Sequence, residues 1–258
     1  MYDIHCHLLP GVDDGPETLD DALTMASLAR EHGTRMVVTT PHGAQGWALG
    51  GKDAMAQRLQ AFRDHLKARG NDLEVTLGGE YLLEPRLLGR HRQGETMGLN
   101  GSRYLLVEID FFQYPLYTED LMFQLQLEGA VPVLAHPERQ ANIQERPELL
   151  ATLVERGVLA QITAGSLLGA FGPKAQRSAE TLLHLGLVHA VASDGHSAVG
   201  ARLPVLAPVM EPLQRLVGEK AAETLVVTNP AAMVANGQVV AVNVRAPRRF
   251  LPGRGRRP

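Results

Sequence analysis

Four stretches of the chain repeat one phrase: "EHGTRMVVTTPH", "LEGAVPVLAHPER", "ERGVLAQITAG" and "HLGLVHAVASDGH". Each sets a glycine where a helix would end and follows it with a β-rich apolar run, the pattern of a helix returning to the next strand of a parallel sheet. Three of the four run on into a histidine or an aspartate. Residues 2–7 open the chain with a similar run, and residues 74–80 and 104–109 add two that end near a glutamate. The count comes to about seven strands, which predicts an α/β chain wound into a closed or nearly closed (β/α) barrel. Residues 1–244 contain no stretch that reads as a linker, so a single domain is expected there.

Local signals agree with that layout. Thr18 is placed to cap a helix that runs to Glu31, with Ala22, Met25, Ala26 and Ala29 along one face and Gly33 as its stop. Residues 36–40 return as the second strand. Residues 43–51 and 81–102, rich in glycine and polar side chains, are predicted as loops at the barrel rim. In barrels of this kind the C-terminal strand ends and the loops after them form the active face.

Composition removes several classes of function. Hydrophobic residues make up 45% of the 258 and charged ones 21%, as in ordinary soluble domains. The single cysteine, Cys6, excludes an internal disulfide and any cysteine-rich zinc module. No run reaches the roughly 18 apolar residues of a membrane helix, and the N-terminus lacks a basic leader, so a cytoplasmic protein is expected. The net charge of -3 conceals an asymmetry, because residues 245–258 carry six arginines and no acid. That stretch is predicted as a flexible basic tail. No nucleic-acid partner is expected, and a homo-oligomer is left open.

Alternation along a strand puts His5 and His7 on one face and Cys6 on the other. Two imidazoles aimed into a barrel mouth are ready ligands for a divalent metal, with Asp3 expected behind them as support. His42, Glu80, Glu108, His136, Asp194 and His196 all fall at or just past predicted strand ends. His32, His65 and His184 fall on predicted helices, His91 in a loop, and His189 at the start of a strand, where packing suffices. A mixed set of histidines and carboxylates suits Mn, Fe or Zn, and a carboxylate can bridge two ions, so more than one metal is expected. Asp13, Asp14 and Gly15 read locally as a turn, but their loop follows the first strand and one carboxylate can fold back onto a metal. Arg139 and Arg202 follow His136 and Asp194 closely, and a guanidinium offers a planar fork to phosphate oxygens.

One other chemistry fails on the residues and a second is weakened by them. A cysteine-dependent tyrosine phosphatase needs an arginine six residues after its cysteine, where this chain has Val12. Many metal-dependent amidohydrolases bridge their metals with a strand-end lysine, and Lys52, Lys67, Lys174 and Lys220 all fall in predicted loops or helices, so Glu80 would have to take its place.

Together "DIHCHLLPGVDDG", "TPH", "GGEY", "HPER" and "ASDGH" occur in the order found in bacterial metal-dependent protein-tyrosine phosphatases of the polymerase and histidinol phosphatase (PHP) superfamily, which the chain resembles over about residues 2–230. The resemblance implies a distorted (β/α)7 barrel with three divalent ions, Mn foremost and Fe or Zn as alternatives. It assigns His5, His7, Glu80 and Asp194 to one ion, Glu80, Glu108 and His136 to a second, and Asp14, His42 and His196 to a third. Arg139 and Arg202 would hold the phosphate and, with Asp14 and His42, count as catalytic. The implied substrate is phosphotyrosine in a protein, an autophosphorylating bacterial tyrosine kinase of capsule or exopolysaccharide synthesis, which would bring the chain near a membrane transiently through that kinase or its basic tail. A hydroxide shared by two ions is expected to attack phosphorus in line. The competing readings are a small-molecule phosphatase of the histidinol phosphatase type, a C–N hydrolase, and a regulatory module that binds metal or phosphate without turnover.

Overall fold

The computed structural model describes residues 1–242, apart from the side chain of Trp47. The arginine-rich stretch 245–258 lies outside the described residues. Among the described residues, eight parallel strands form two sheets. β1 (Tyr2–Cys6), β2 (Met36–Thr39) and β3 (Glu74–Leu77) make one, in that order. β4 (Glu80–Leu82), β5 (Tyr104–Glu108), β6 (Val131–Ala135), β7 (Leu159–Thr163) and β8 (Ala190–Ala192) make the other, also in sequence order. Isolated parallel bridges join Cys6 to Gly195 and His42 to Glu80, at the edges where the sheets meet.

The helices pack outside the strands. α1 (Leu19–Glu31) starts as the sequence predicts: the Thr18 hydroxyl accepts from the Asp21 N–H, and Ala22, Met25, Ala26 and Ala29 are buried. α2 (Gly43–Ala48), α3 (Gly51–Ala68), α4 (Arg86–Arg92), α5 (Thr118–Leu127), α6 (Ala141–Glu145), α7 (Glu148–Glu155), α8 (Ala164–Leu167) and α9 (Gly172–His184) follow, and α10 (Met210–Val217), α11 (Glu219–Glu223) and α12 (Asn229–Val234) complete the order. None of the described helices is long and apolar enough to cross a membrane. All four lysines lie on helices: Lys52 and Lys67 on α3, Lys174 on α9 and Lys220 on α11.

Alternating strand residues serve two cores. Ile4, Val38, Leu106, Val133, Ala135, Ala190 and Ala192 meet one another on one side of the strands. Val37 and Val75 pack with α1 and α3, and Leu105, Val107, Leu134, Ile162 and Val191 pack with α4 to α11, while Met233 and Val234 of α12 join the first core. Each fully buried Val, Leu or Ile contributes about 1.5–3 kcal/mol of transfer free energy. With both faces packed, only the strand ends are free to carry chemistry.

Three expectations need correction. The run 74–80 is two strands, not one, broken at Gly78 and Gly79: a Cβ on Gly78 would press on Val38 and Leu99, and one on Gly79 would strike the Tyr81 ring. Residues 43–48 form α2 and Gly51 opens α3, with only a turn at 49–50 between them, rather than a loop. Gly43 opens α2 against the Tyr81 ring, where any side chain would collide, so that glycine marks a close approach. The 81–102 region holds α4 and a short 3-10 turn at Leu99–Gly101, which puts His91 on a helix with its Nδ1 2.7 Å from the Thr96 hydroxyl.

Gly195 sits in a tight place beside the strand ends, since a Cβ there would lie 2.6 Å from Pro204 Cα, a backbone atom that cannot swing aside. Gly195→Ala is expected to cost about 1–3 kcal/mol through overpacking. Denaturant unfolding followed by circular dichroism measures it, and an unshifted midpoint would contradict the close fit.

Candidate metal centre

The backbone delivers the polar side chains to one place. β1 carries His5 and His7; the register against β2 shifts between Asp3 and Cys6, and the strand end is tied to the β8 exit by His7 N–H to Gly195 O and Asp194 N–H to His5 O, each 2.8 Å. His42 follows β2, Glu80 begins β4, Glu108 ends β5, and His136 follows β6. His136 and Asp194 hold left-handed backbones with φ of 36° and 51°. Such a conformation costs a non-glycine residue about 1–2 kcal/mol, which the surrounding hydrogen bonds must offset.

Donor atoms from nine residues interlock. Glu80 is buried and takes four imidazoles: His136 Nε2 at 2.9 Å from Oε1, and His5 Nε2, His7 Nε2 and His42 Nδ1 at 3.2, 3.2 and 3.3 Å from Oε2. Asp194 lies 3.4 Å from His5 Nε2, and Glu108 3.6 Å from His42 Nδ1. Asp14 meets His196 at 3.1 Å and His42 at 3.4 Å. Three sets place their donors within 4.8 Å of one another: His7, Asp14, His42 and His196; His5, His7 and Glu80; His42, Glu80 and Glu108.

The chemistry of this donor set fits divalent cations. His7 Nδ1 lies 2.7 Å from Asp13 Oδ2 and His5 Nδ1 2.8 Å from Gln161 Oε1. Both partners only accept, so each Nδ1 carries the proton. In neutral rings the two Nε2 lone pairs then face each other across 3.3 Å, beside a carboxylate oxygen. Such an arrangement repels itself unless positive charge sits within it. Without metal, protons fill that role: burial opposes charge on His5, yet Glu80 and Asp194 push it up to about 9. Burial opposes it on His7 too, and Asp13 and Glu80 push that ring up to about 10.

The carboxylates answer to the same neighbours. Burial alone would raise Glu80, but the imidazoles of His5, His136 and His7 hold it well below the usual range. Asp14 is held far down by hydrogen bonds from His196 and His42. Glu108 goes the other way, pushed up by burial and by the charge of Glu80.

Two guanidiniums converge on Asp194. Arg139 Nη1 donates to Oδ2 at 2.8 Å, and its plane is held between the rings of Phe111 and Phe171, 4.6 and 4.2 Å from their centroids. Arg202 Nη2 donates to Oδ1 at 3.2 Å and Nη1 to Asp14 Oδ2 at 3.2 Å, while Nη2 also reaches His196 Nε2 at 2.7 Å. An anion arriving beside Asp194 therefore meets two planar cations together with whatever charge the imidazoles hold.

All eleven residues singled out as metal-binding or catalytic lie in this one cluster. His189 packs as expected, buried with Nδ1 facing the Ala160 N–H at 3.2 Å. Asp3 does not support an imidazole: its Oδ1 accepts from the His5 and Ser193 N–H groups, so it braces the backbone of β1 against the β8 exit. The ring supports are Asp13, half of a turn in sequence terms, and Gln161, which sequence reasoning missed. Gln161 did leave a signal, as a polar residue in the middle of the otherwise apolar "LAQIT" strand.

A model of the family described as "Capsular polysaccharide synthesis, CpsB/CapC" matches residues 1–235. The chain is 38% identical over 197 residues to tyrosine-protein phosphatase YwqE of Bacillus subtilis, covering 76% of this chain and 78% of that one. It is 27% identical over 241 residues to tyrosine-protein phosphatase CpsB of Streptococcus agalactiae, covering 92% and 99%. Among solved structures, one described in work on YwqE from Bacillus subtilis and CpsB from Streptococcus pneumoniae, "unique metal-dependent tyrosine phosphatases", superposes with a TM-score of 0.88 at 33% identity, over 96% of this chain and 98% of that one.

Cations and protons compete for the same His5 and His7 nitrogens, which their carboxylate neighbours make more basic. Adding Mn2+ to metal-stripped protein in weak buffer at pH 7.5 should release more than one proton per chain, read with an indicator dye, and the apparent affinity should rise with pH toward 9–10. Metal uptake without proton release would contradict this account of the ring charges.

Proposed function

The chain belongs to the capsular polysaccharide synthesis family CpsB/CapC, and from that premise we propose that it hydrolyses phosphotyrosine in proteins as a metal-dependent phosphatase. The observation that carries the reading is the pair Arg139 and Arg202 meeting on Asp194 at the edge of the imidazole and carboxylate cluster. We infer that β3 and β4 are halves of one broken strand, so that the two sheets work as a single distorted (β/α)7 barrel within residues 1–244. His5, His7, Glu80 and Asp194, then Glu80, Glu108 and His136, then Asp14, His42 and His196 would hold three divalent ions, with Mn favoured by the mixed nitrogen and oxygen donors. When bound, such ions supply Lewis-acid charge and activate water for in-line attack on phosphorus.

The side chains do the rest. Arg139, immobilised between two aromatic rings, and Arg202 take the non-bridging oxygens of the phosphate and neutralise charge that grows during attack. Asp194 holds both guanidiniums oriented before the substrate arrives. Asp13 and Gln161 keep His5 and His7 in the tautomer that turns Nε2 toward the ligands. Asp14 and His42, more exposed than Glu80 or His5, stand where the substrate enters. Cys6 takes no part as a nucleophile, being fully buried with a thiol that burial pushes well up. A tyrosine leaving group, with a pKa of about 10, departs without a strong general acid. The physiological substrate in this reading is an autophosphorylating tyrosine kinase of capsule or exopolysaccharide synthesis, met in the cytoplasm.

A phosphotyrosine peptide and histidinol phosphate, assayed side by side, test the reading. Peptide turnover should vanish on metal removal, return with Mn2+ and exceed turnover of histidinol phosphate. Arg139→Ala should lose roughly 10²–10³ in kcat with its metal content intact. Peptide turnover that survives complete metal removal would overturn the proposal.

A further inference from the structure

The mouth of the cluster carries an apolar rim that hydrolysis itself does not use. Leu82 lies two residues beyond Glu80 on β4, so both side chains face the same way, about 6.6 Å apart along the strand. Glu80 is 1% exposed, whereas Leu82 is 49% exposed. Leu82 also pairs in register with Glu108 on β5.

The loop after β5 extends this rim. At its start the Phe111 ring lies 5.3 Å from that of His136 and covers one face of Arg139. At its end the Tyr117 hydroxyl reaches the Leu83 carbonyl at 3.4 Å. Between them Asp110 Oδ1 accepts from the N–H groups of Phe112 and Gln113 at 2.8 and 2.9 Å, which pins the turn. The side chains it presents, Phe112 and Leu116, are 81% and 103% exposed. Large apolar groups held in water by a hydrogen-bonded backbone, beside a reactive cluster, mark a contact surface.

The geometry points to this rim as the seat of the substrate's tyrosine ring and of apolar residues flanking it in an extended peptide. The inference rests on the phosphotyrosine reading and names what that site selects. With phosphate oxygens on Arg139 and Arg202, the ester's aryl group projects toward the mouth, and Leu82 stands one strand repeat above Glu80 at that level. Neighbouring residues of an extended peptide advance about 3.3–3.6 Å each. The first two on either side therefore come within reach of Phe112 and Leu116, because Phe111, next to Phe112, already touches the phosphate-binding Arg139. Leu82 thus favours aryl over alkyl phosphates, and the loop favours apolar over polar flanks.

The test compares Phe112→Ser/Leu116→Ser and Leu82→Asn with the unchanged manganese-loaded protein. The probes are phenyl phosphate, a short alkyl phosphate, and two phosphotyrosine peptides that differ only in Leu/Val or Ser/Gly flanks. The double variant should raise KM for the apolar-flanked peptide roughly tenfold, leaving kcat and phenyl phosphate unchanged. Leu82→Asn should raise KM for phenyl phosphate and both peptides but not for the alkyl ester. Equal KM values across the variants overturn the rim proposal alone. So does a double variant that shifts a dimer to a monomer in sedimentation without changing KM, since the rim would then serve a second copy of the chain. Absence of phosphotyrosine turnover by the unchanged protein sinks the catalytic reading and the rim proposal together.

Discussion

One carboxylate organises the site. Glu80 is buried and receives His5, His7, His42 and His136 on its two oxygens. A buried charge left unpaired costs several kcal/mol, so these imidazoles and Glu80 hold one another in place. The chain goes to some length to put Glu80 there. Two successive glycines break the strand just before it, its N–H reaches the Pro41 carbonyl at 3.1 Å, and a lone bridge pairs it with His42. The two sheets therefore meet at the residue that gathers the imidazoles.

Around Glu80 the polar groups fall into shells with separate duties. The innermost atoms are nitrogens and carboxylate oxygens that gain from a shared cation. Behind them Asp13 and Gln161 fix two rings by their far nitrogens, one through a charge and one through a neutral amide. Asp13 also accepts the His42 N–H at 3.0 Å, so a single carboxylate orients one imidazole and anchors the backbone that carries another. Glu138 does comparable work nearby, accepting from the Thr163 N–H and the Ser166 hydroxyl and so fastening the turn that carries His136 and Arg139 to the end of β7. The left-handed backbone of His136 lies in the turn that Glu138 fastens, and that of Asp194 is tied by its N–H to the His5 carbonyl, which places strain where orientation matters most.

Much of this was legible in the sequence because it depends on local rules. The Thr18 cap, the buried alanine face of α1 and the His-X-His alternation each follow from neighbours within four residues. Eight of the nine donors and the two arginines were legible because repeated strand ends mark one rim, whereas Asp14 and the grouping into ions came from the motif order. What could not be read depends on contacts distant in sequence. Gly43 opens a helix because the Tyr81 ring lies against it, and Gly79 breaks a strand for a related reason. Asp13 and Asp14 are adjacent and alike, yet one is buried against His7 while the other is 54% exposed. Only the fold separates their tasks. Asp3, placed by its spacing behind the histidines, turns instead to backbone N–H groups, which compete for a buried carboxylate as well as any ring does.

If Glu80 joins the strand-end donors into one site for more than one cation, removing its charge while keeping its shape should cost bound metal. Glu80→Gln and the unchanged protein should be stripped, reconstituted with excess Mn2+, freed of unbound metal and measured for metal per chain by elemental analysis, with circular dichroism confirming the fold. The account predicts two or more equivalents in the unchanged protein and a loss of at least one in the folded variant. Equal metal content in the two would contradict it.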